Sequence, residues 1–232
     1  MKRLTAVLGA GALLVALIGL GAPVAQAKCG DAPKPKVDWT KCDKERLNLR
    51  EQDLSGGIFL RTDLSASDLM EANLRGATLK KANLARARLK DADLRDANLS
   101  QAQGDRTNFQ KANLEGADLT KSELPRADLT EANLTNADLS KSELGRAMLN
   151  EAKLDGAKFH YAYLARAVLH DASLKGTDFT GAYLFLMRIE GVDLSQAVGL
   201  THDQLALACG DSDTKLPDGV QRPEAWPCGD SD

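Results

Sequence analysis

An apolar residue returns at every fifth position between residues 49 and 194 of this chain, without one phase slip. Of the 30 centres, 24 are Leu, four are Phe and one is Ile; only Gly104 departs. Two residues before each centre, at all 25 positions between 62 and 182, stands Ala, Ser or Thr. A helix repeats every 3.6 residues and a strand every second residue, so neither keeps a fifth residue on one side for this long. A coil that turns a corner every five residues does.

The settled unit reads Ala-(Asn/Asp)-Leu-x-x, as in Ala72-Asn73-Leu74, Ala82-Asn83-Leu84, Ala92-Asp93-Leu94, Ala112-Asn113-Leu114 and Ala137-Asp138-Leu139. Over roughly 150 residues this pattern resembles the pentapeptide-repeat family. The resemblance implies an all-β solenoid, a right-handed quadrilateral β-helix with four units per coil and about 7 coils here. The residues support the same picture. Leu fills an interior, Ala fits where the backbone crowds inward, and Asn or Asp tolerates corner conformations that β-branched residues resist.

Four units per coil predicts a 20-residue period on the surface, visible at the second residue after each centre. One column reads Glu51, Glu71, Asp91, Lys111, Glu131, Glu151, Asp171; a second reads Gly56, Gly76, Asp96, Gly116, Asn136, Gly156, Gly176. A third reads Arg61, Lys81, Gln101, Lys121, Lys141, Tyr161, and the fourth is the ladder Arg86, Arg106, Arg126, Arg146, Arg166. The Gly/Asn column suggests a turn type of its own, because such residues permit positive φ. Arginines stacked at about 4.8 Å repel unless neutralised. Arg86 precedes Asp91 by five positions, as Arg126 does Glu131, Arg146 does Glu151 and Arg166 does Asp171, while Glu123 and Glu143 lie three positions before an Arg. Laced surface ion pairs are the expected outcome, each contributing under about 1 kcal/mol. The alternative is a basic binding strip of Lys81, Arg86, Arg106, Lys121, Arg126, Lys141, Arg146 and Arg166 facing an anionic surface. Gly104 interrupts the stack between Leu84 and Leu124, and Phe109 is expected to lean over and fill part of the space.

The flanks divide the chain further. Residues 1–27 carry Lys2 and Arg3, an apolar run and Ala25-Gln26-Ala27, the pattern of a secretory signal cleaved before Lys28. Retention as an anchor is the competing reading, although the run is short for spanning ~30 Å. Residues 28–46 read as a non-repetitive N-terminal cap, residues 47–198 as the β-helix and residues 199–232 as a C-terminal cap. In the latter Thr201 and Gln204 form a capping box that opens one short helix, followed by an extended tail. All four cysteines lie outside the repeat. If four five-residue sides make a turn, the rod is about 36 Å long. Pairing across its two ends then exceeds the reach of a disulfide, leaving Cys29 with Cys42 and Cys209 with Cys228.

Function is written less openly. The formal charge is −3, so neither a nucleic-acid partner nor an acidic tail is expected. Aromatic residues make up only 4% of the chain, which singles out Tyr163, Tyr183 and Phe185 as a contact patch near the far end. Their expected partner is internal, the helix of the C-terminal cap; a dimer interface is the alternative. Catalysis needs convergent groups in a pocket, and a filled solenoid offers none. His160 and His170 fall on opposite walls, His202 falls in the cap, and the mid-wall Asp and Asn side chains are expected to bond their own turns. No enzyme activity, metal or cofactor is therefore expected. The sequence points to a periplasmic or secreted binding or scaffold protein, monomer or weak dimer, whose partner is an envelope protein, a glycan or an anionic membrane. A DNA-mimicking inhibitor of a type II topoisomerase, known in the family, is the alternative and requires the cytoplasm.

Overall fold

The backbone hydrogen bonds of one five-residue unit explain its sequence. In the unit 72–76, Ala72 N–H donates to Leu69 O at 3.1 Å and closes the preceding turn, while Asn73 N–H reaches down to Gln52 O at 3.0 Å. Leu74 and Gly76 donate upward, to Asp93 O at 2.7 Å and Arg95 O at 2.9 Å. The remaining amide, on Arg75, donates to Asn73 Oδ1 at 3.1 Å. The Asn or Asp of the motif thus satisfies the one donor that the backbone leaves over, as a buried or crowded chain requires.

In the computed structural model, which describes residues 29–228, this unit recurs as parallel bridges between residues 20 apart, from Asp38↔Ile58 to Asp178↔Val198. Four sides therefore make one coil. The first wall runs upward from Asp38, the second from Asp43, the third from Asn48 and the fourth from Asp53. Every Leu and Phe centre between 49 and 194 is buried, at 3% exposure or less, with the Ala, Ser and Thr of the small position packed beside it. Phe159 stacks on Phe179 with ring centroids 5.3 Å apart. Several hydroxyls at the small position find carbonyls of the coil below: Thr62 donates to Trp39 O at 2.6 Å and Thr107 to Leu84 O at 2.7 Å.

Three expectations are corrected by this geometry. The repeat starts earlier than residue 47, since Lys36 N–H already bonds Ser55 O at 2.8 Å. Trp39 fills a centre at 0% exposure and packs edge-on against Phe59 at 5.7 Å. Lys44 takes the next centre at the open end, where its ammonium lies 4.1 Å from the Trp39 ring centroid and donates to Cys29 O at 2.6 Å. The Gly column has no turn type of its own. The second residue after every centre from Leu49 to Ile189 is left-handed, and 25 non-Gly residues, including Lys81, Arg86 and Glu71, stand at φ +52° to +60°. All four corners are β-turns with a positive-φ third position, and the coil imposes that conformation on L-residues at roughly 1 kcal/mol each. At Gly104 the side chains nearest the missing Cβ are Leu124 and Thr107 rather than Phe109. A Cβ there would lie 2.6 Å from Leu124 Cδ2 and 2.6 Å from Thr107 Oγ1, so the coil above and the adjacent Thr close the gap.

The C-terminal segment finishes the rod by imitating further sides. Arg188 pairs with Cys209 and Asp193 with Lys215 as parallel bridges over the third and fourth walls. Helix α1 (His202–Leu205) lies over the coil end, buries Leu205 and donates from Gln204 Nε2 to Phe179 O and Ala182 O, both at 2.9 Å. Trp226 Nε1 donates to Ala208 O at 2.7 Å. Disulfides join Cys29 to Cys42 and Cys209 to Cys228, with Cα atoms 5.4 and 5.2 Å apart. The signal segment and its cleavage point lie outside the described residues.

Candidate functional site

Titratable groups on the rod do not converge. His160 Nε2 lies 2.7 Å from Asp178 Oδ2 on the first wall, and His170 Nε2 lies 3.0 Å from Asp171 Oδ2 by the third. His202 Nδ1 faces Gln221 O at 3.2 Å in the cap. Among the described residues no three His, Cys, Asp or Glu side chains gather closely enough to hold a metal ion. An open recess between Asp211, Ser212, Arg222, Trp226 and Pro227 marks the cap surface. Arg222 donates there to Asp211 O and, at 3.0 Å, to Thr214 O, so its charge is used to fasten the tail.

Charge is sorted around the coil instead. The Lys81, Lys121 and Lys141 corner and the Arg86, Arg106, Arg126, Arg146 and Arg166 corner bound the second wall on its two sides. The lacing expected along the coil is absent. Among the described residues only Arg126 of these eight cations has a carboxylate within 4.0 Å, and that is Asp105 at 3.9 Å rather than Glu131. Glu131 pairs with Lys111 at 3.4 Å, Arg50 with Glu71 at 2.6 Å and Arg88 with Asp68 at 3.4 Å. Partners stand about one coil apart because successive coils approach to about 4.8 Å, whereas successive corners are separated by a whole side. Carboxylates also stand beside these cations, at Asp105 on the Arg corner and at Glu123 and Glu143 on the second wall itself.

The aromatic residues occupy the same wall, above the cations. Tyr163 and Tyr183 stack across adjacent coils with centroids 5.3 Å apart, and Phe185 continues the stack at 6.2 Å. Small residues make room for them: a Cβ on Gly145 would sit 3.1 Å from Tyr163 Cε1, and Ala165 is 5% exposed. Tyr161 projects from the adjoining corner at 66% exposure, a residue that the sequence reading left out of the patch. The internal partner expected for the patch does not cover it. Helix α1 spans four residues and lies over the coil end, leaving Tyr163, Tyr183 and Phe185 at 46%, 43% and 40% exposure.

A square coil of stacked leucines whose corners are left-handed turns, most of them Asx-bonded up to residue 138, defines a class, and the family model for pentapeptide repeats, in eight copies, matches residues 48–86, 82–120, 107–146, 127–160 and 147–184. The chain belongs to the pentapeptide-repeat family, whose solved members imply that this coil is a right-handed quadrilateral β-helix. It is similar to HetL, a pentapeptide-repeat protein involved in heterocyst differentiation regulation from the cyanobacterium Nostoc sp. strain PCC 7120. The likeness amounts to 28% identity, coverage of 82% of this chain and 94% of HetL, and a TM-score of 0.53. It is also similar to trypsin-treated QnrB1, a plasmid-mediated fluoroquinolone resistance protein, at 20% identity, with 76% and 87% of the chains covered and a TM-score of 0.67. The second likeness is one of fold alone. No curated protein matches this chain.

Proposed function

We propose that this protein is a non-catalytic binding or scaffold rod of the bacterial envelope, of about seven coils, exported by residues 1–27. The observation that carries this reading is the aromatic stack of Tyr163, Tyr183 and Phe185, which begins over Gly145 and which the chain leaves outside its own cap. Exposed apolar surface that a fold could have covered, in so aromatic-poor a chain, marks a contact. A disulfide at each end of the rod suits an oxidising compartment. The separation of His160, His170 and His202 supports a role without catalysis. The free cations beside the second wall oppose mimicry of DNA, which needs a negative surface.

Fractionation with N-terminal sequencing and thiol alkylation tests the reading. The expected product is envelope protein beginning at Lys28 with no alkylatable cysteine. Cytoplasmic protein beginning at Met1 with four reactive thiols would overturn it.

A further inference from the structure

We infer that the second wall is a docking face for an anionic lipid bilayer, with the two cationic corners resting on head groups and the aromatic stack seated at the interface. The inference rests on the envelope reading above and names its partner.

Three observations combine on this one face. The first is unspent charge. From Lys81 upward the two corners present eight cations against Asp105, Glu123 and Glu143, and among the described residues seven of the eight have no carboxylate within 4.0 Å. The cations face water and are available to phosphate.

The second is where the opposing carboxylates stand. Glu123 and Glu143 occupy the middle of the wall, between the corners. A single polyanionic strand lying along the centre would meet them head-on. A flat surface wide enough to touch both corners gains from every Lys and Arg at once, and their side chains are longer than those of the glutamates between them. The geometry therefore favours a sheet of negative charge over a thread of it.

The third is the aromatic end. Tyr161, Tyr163, Tyr183 and Phe185 emerge on the same wall and its corner, next to Arg146 and Arg166. Tyrosine belongs at the head-group level of a bilayer, where its ring is shielded and its hydroxyl stays wet. Cations with aromatic residues on one face are what a surface-lying element uses to hold anionic lipid. Polarity across the rod then sets the approach. Glu51, Glu71, Asp91, Glu131, Glu151 and Asp171 outnumber Arg50, Lys90 and Lys111 at the corner diagonally opposite the lysines, so an anionic surface favours the second wall over that side.

The test is sedimentation of the envelope form beginning at Lys28 with vesicles of phosphatidylcholine alone and with about a third phosphatidylglycerol. The apolar segment 1–27 then adds no lipid affinity of its own. Each cation near an anionic surface is worth about fivefold in binding. Arg106→Gln, Arg126→Gln and Arg146→Gln together should then weaken binding to anionic vesicles by about a hundredfold, and Tyr163→Ser with Phe185→Ser should weaken it further. Arg50→Gln, Arg75→Gln and Lys175→Gln remove the same charge from other walls and should leave binding within a fewfold of wild type. Equal binding to neutral vesicles, or equal loss in the two triple variants, would overturn the inference. So would Arg-dependent binding of soluble polyphosphate without binding of vesicles, because the face would then serve a polymer. Absence of vesicle binding by a chain that fractionates with the envelope removes the lipid partner and leaves the envelope reading standing. A cytoplasmic chain does the reverse.

Discussion

Between residues 38 and 138, sixteen Asp or Asn side chains stand mid-wall, and each accepts the backbone N–H two residues on. Between 143 and 198 only Asp178 and Asp193 do so; the other positions carry Glu, Met, Lys, Tyr, Val, Ser and Arg. The coil continues unchanged across this boundary, with the same buried centres and the same left-handed corners. Centre, small position and corner conformation are therefore what the fold demands. The mid-wall side chain is a reinforcement that the upper rod does without, or replaces: His170 N–H bonds Asn150 Oδ1 at 3.2 Å and Lys175 N–H bonds Asp155 Oδ1 at 2.9 Å, each from the coil below. Positions released from that duty carry the exposed tyrosines.

The sharpest way to break this comparison is to attack what the two regions share. Leu134→Asp below and Leu164→Asp above each bury an unpaired charge at a site of 0% exposure and should each cost more than about 4 kcal/mol by denaturant unfolding. A tolerated substitution in either region would show that its core is not the common one. The two ends come next. Replacing both cysteines of either pair by Ser should cost about 3 kcal/mol for loops of 13 and 19 residues, read as lost amide protection in the adjoining coil.

Mid-wall changes separate the regions at smaller cost. Asp138→Ala removes the acceptor of Ser140 N–H, a 2.9 Å bond, and should lower stability by about 1 kcal/mol. Lys153→Ala, at an equivalent position above the boundary, should stay within about 0.5 kcal/mol of wild type. Acid should act on the same difference. The Ser55 hydroxyl and amide hold the Asp53 carboxyl below its ordinary value, and the Arg95 guanidinium does so for Asp93. At Asp63 burial pushes upward but is outweighed by donors on Ser65 and Asn83. Asp193, bonded by Ser195 and Lys215, is lowered to about 2. Depressed carboxyls stabilise the fold above the ordinary Asp value of about 3.9 and lose that contribution as the pH falls through their folded values. The amide shifts of Ser55, Ser65 and Arg95 should move as the pH drops from about 4 towards 2, while that of Ala165, which follows the mid-wall Tyr163, holds still.

Much of this architecture is legible in the residues because the interior accepts so few of them. A fifth-residue Leu with Ala two places before it has one solution, and the ends of the resulting rod are too far apart for Cys42 to reach Cys209. What stayed hidden did so for physical reasons. Trp39 and Lys44 do not look like repeat centres, since at an open end the slot admits a ring and an ammonium lying over it. Left-handed corners are advertised only by Gly and Asn, so the strain carried by Lys81 or Arg86 has no letter of its own. Residues five positions apart stand on different sides of the coil, and the ion pairs that link coils join residues about twenty positions apart. The fate of the tyrosines depended on whether a four-residue helix extends over a wall or stops at the coil end, which no local pattern encodes.

Because each unit forms one side of a square, the rod behaves like a combination lock. Duplicating 20 residues would lengthen it by one coil and leave every wall aligned, whereas duplicating five would rotate all that follows by a quarter turn. Inserted between Arg126 and Tyr161, such a five-residue dial would carry the tyrosines to a neighbouring side without altering a single buried contact type. Cations and aromatics that now share a face would be uncoupled by geometry alone.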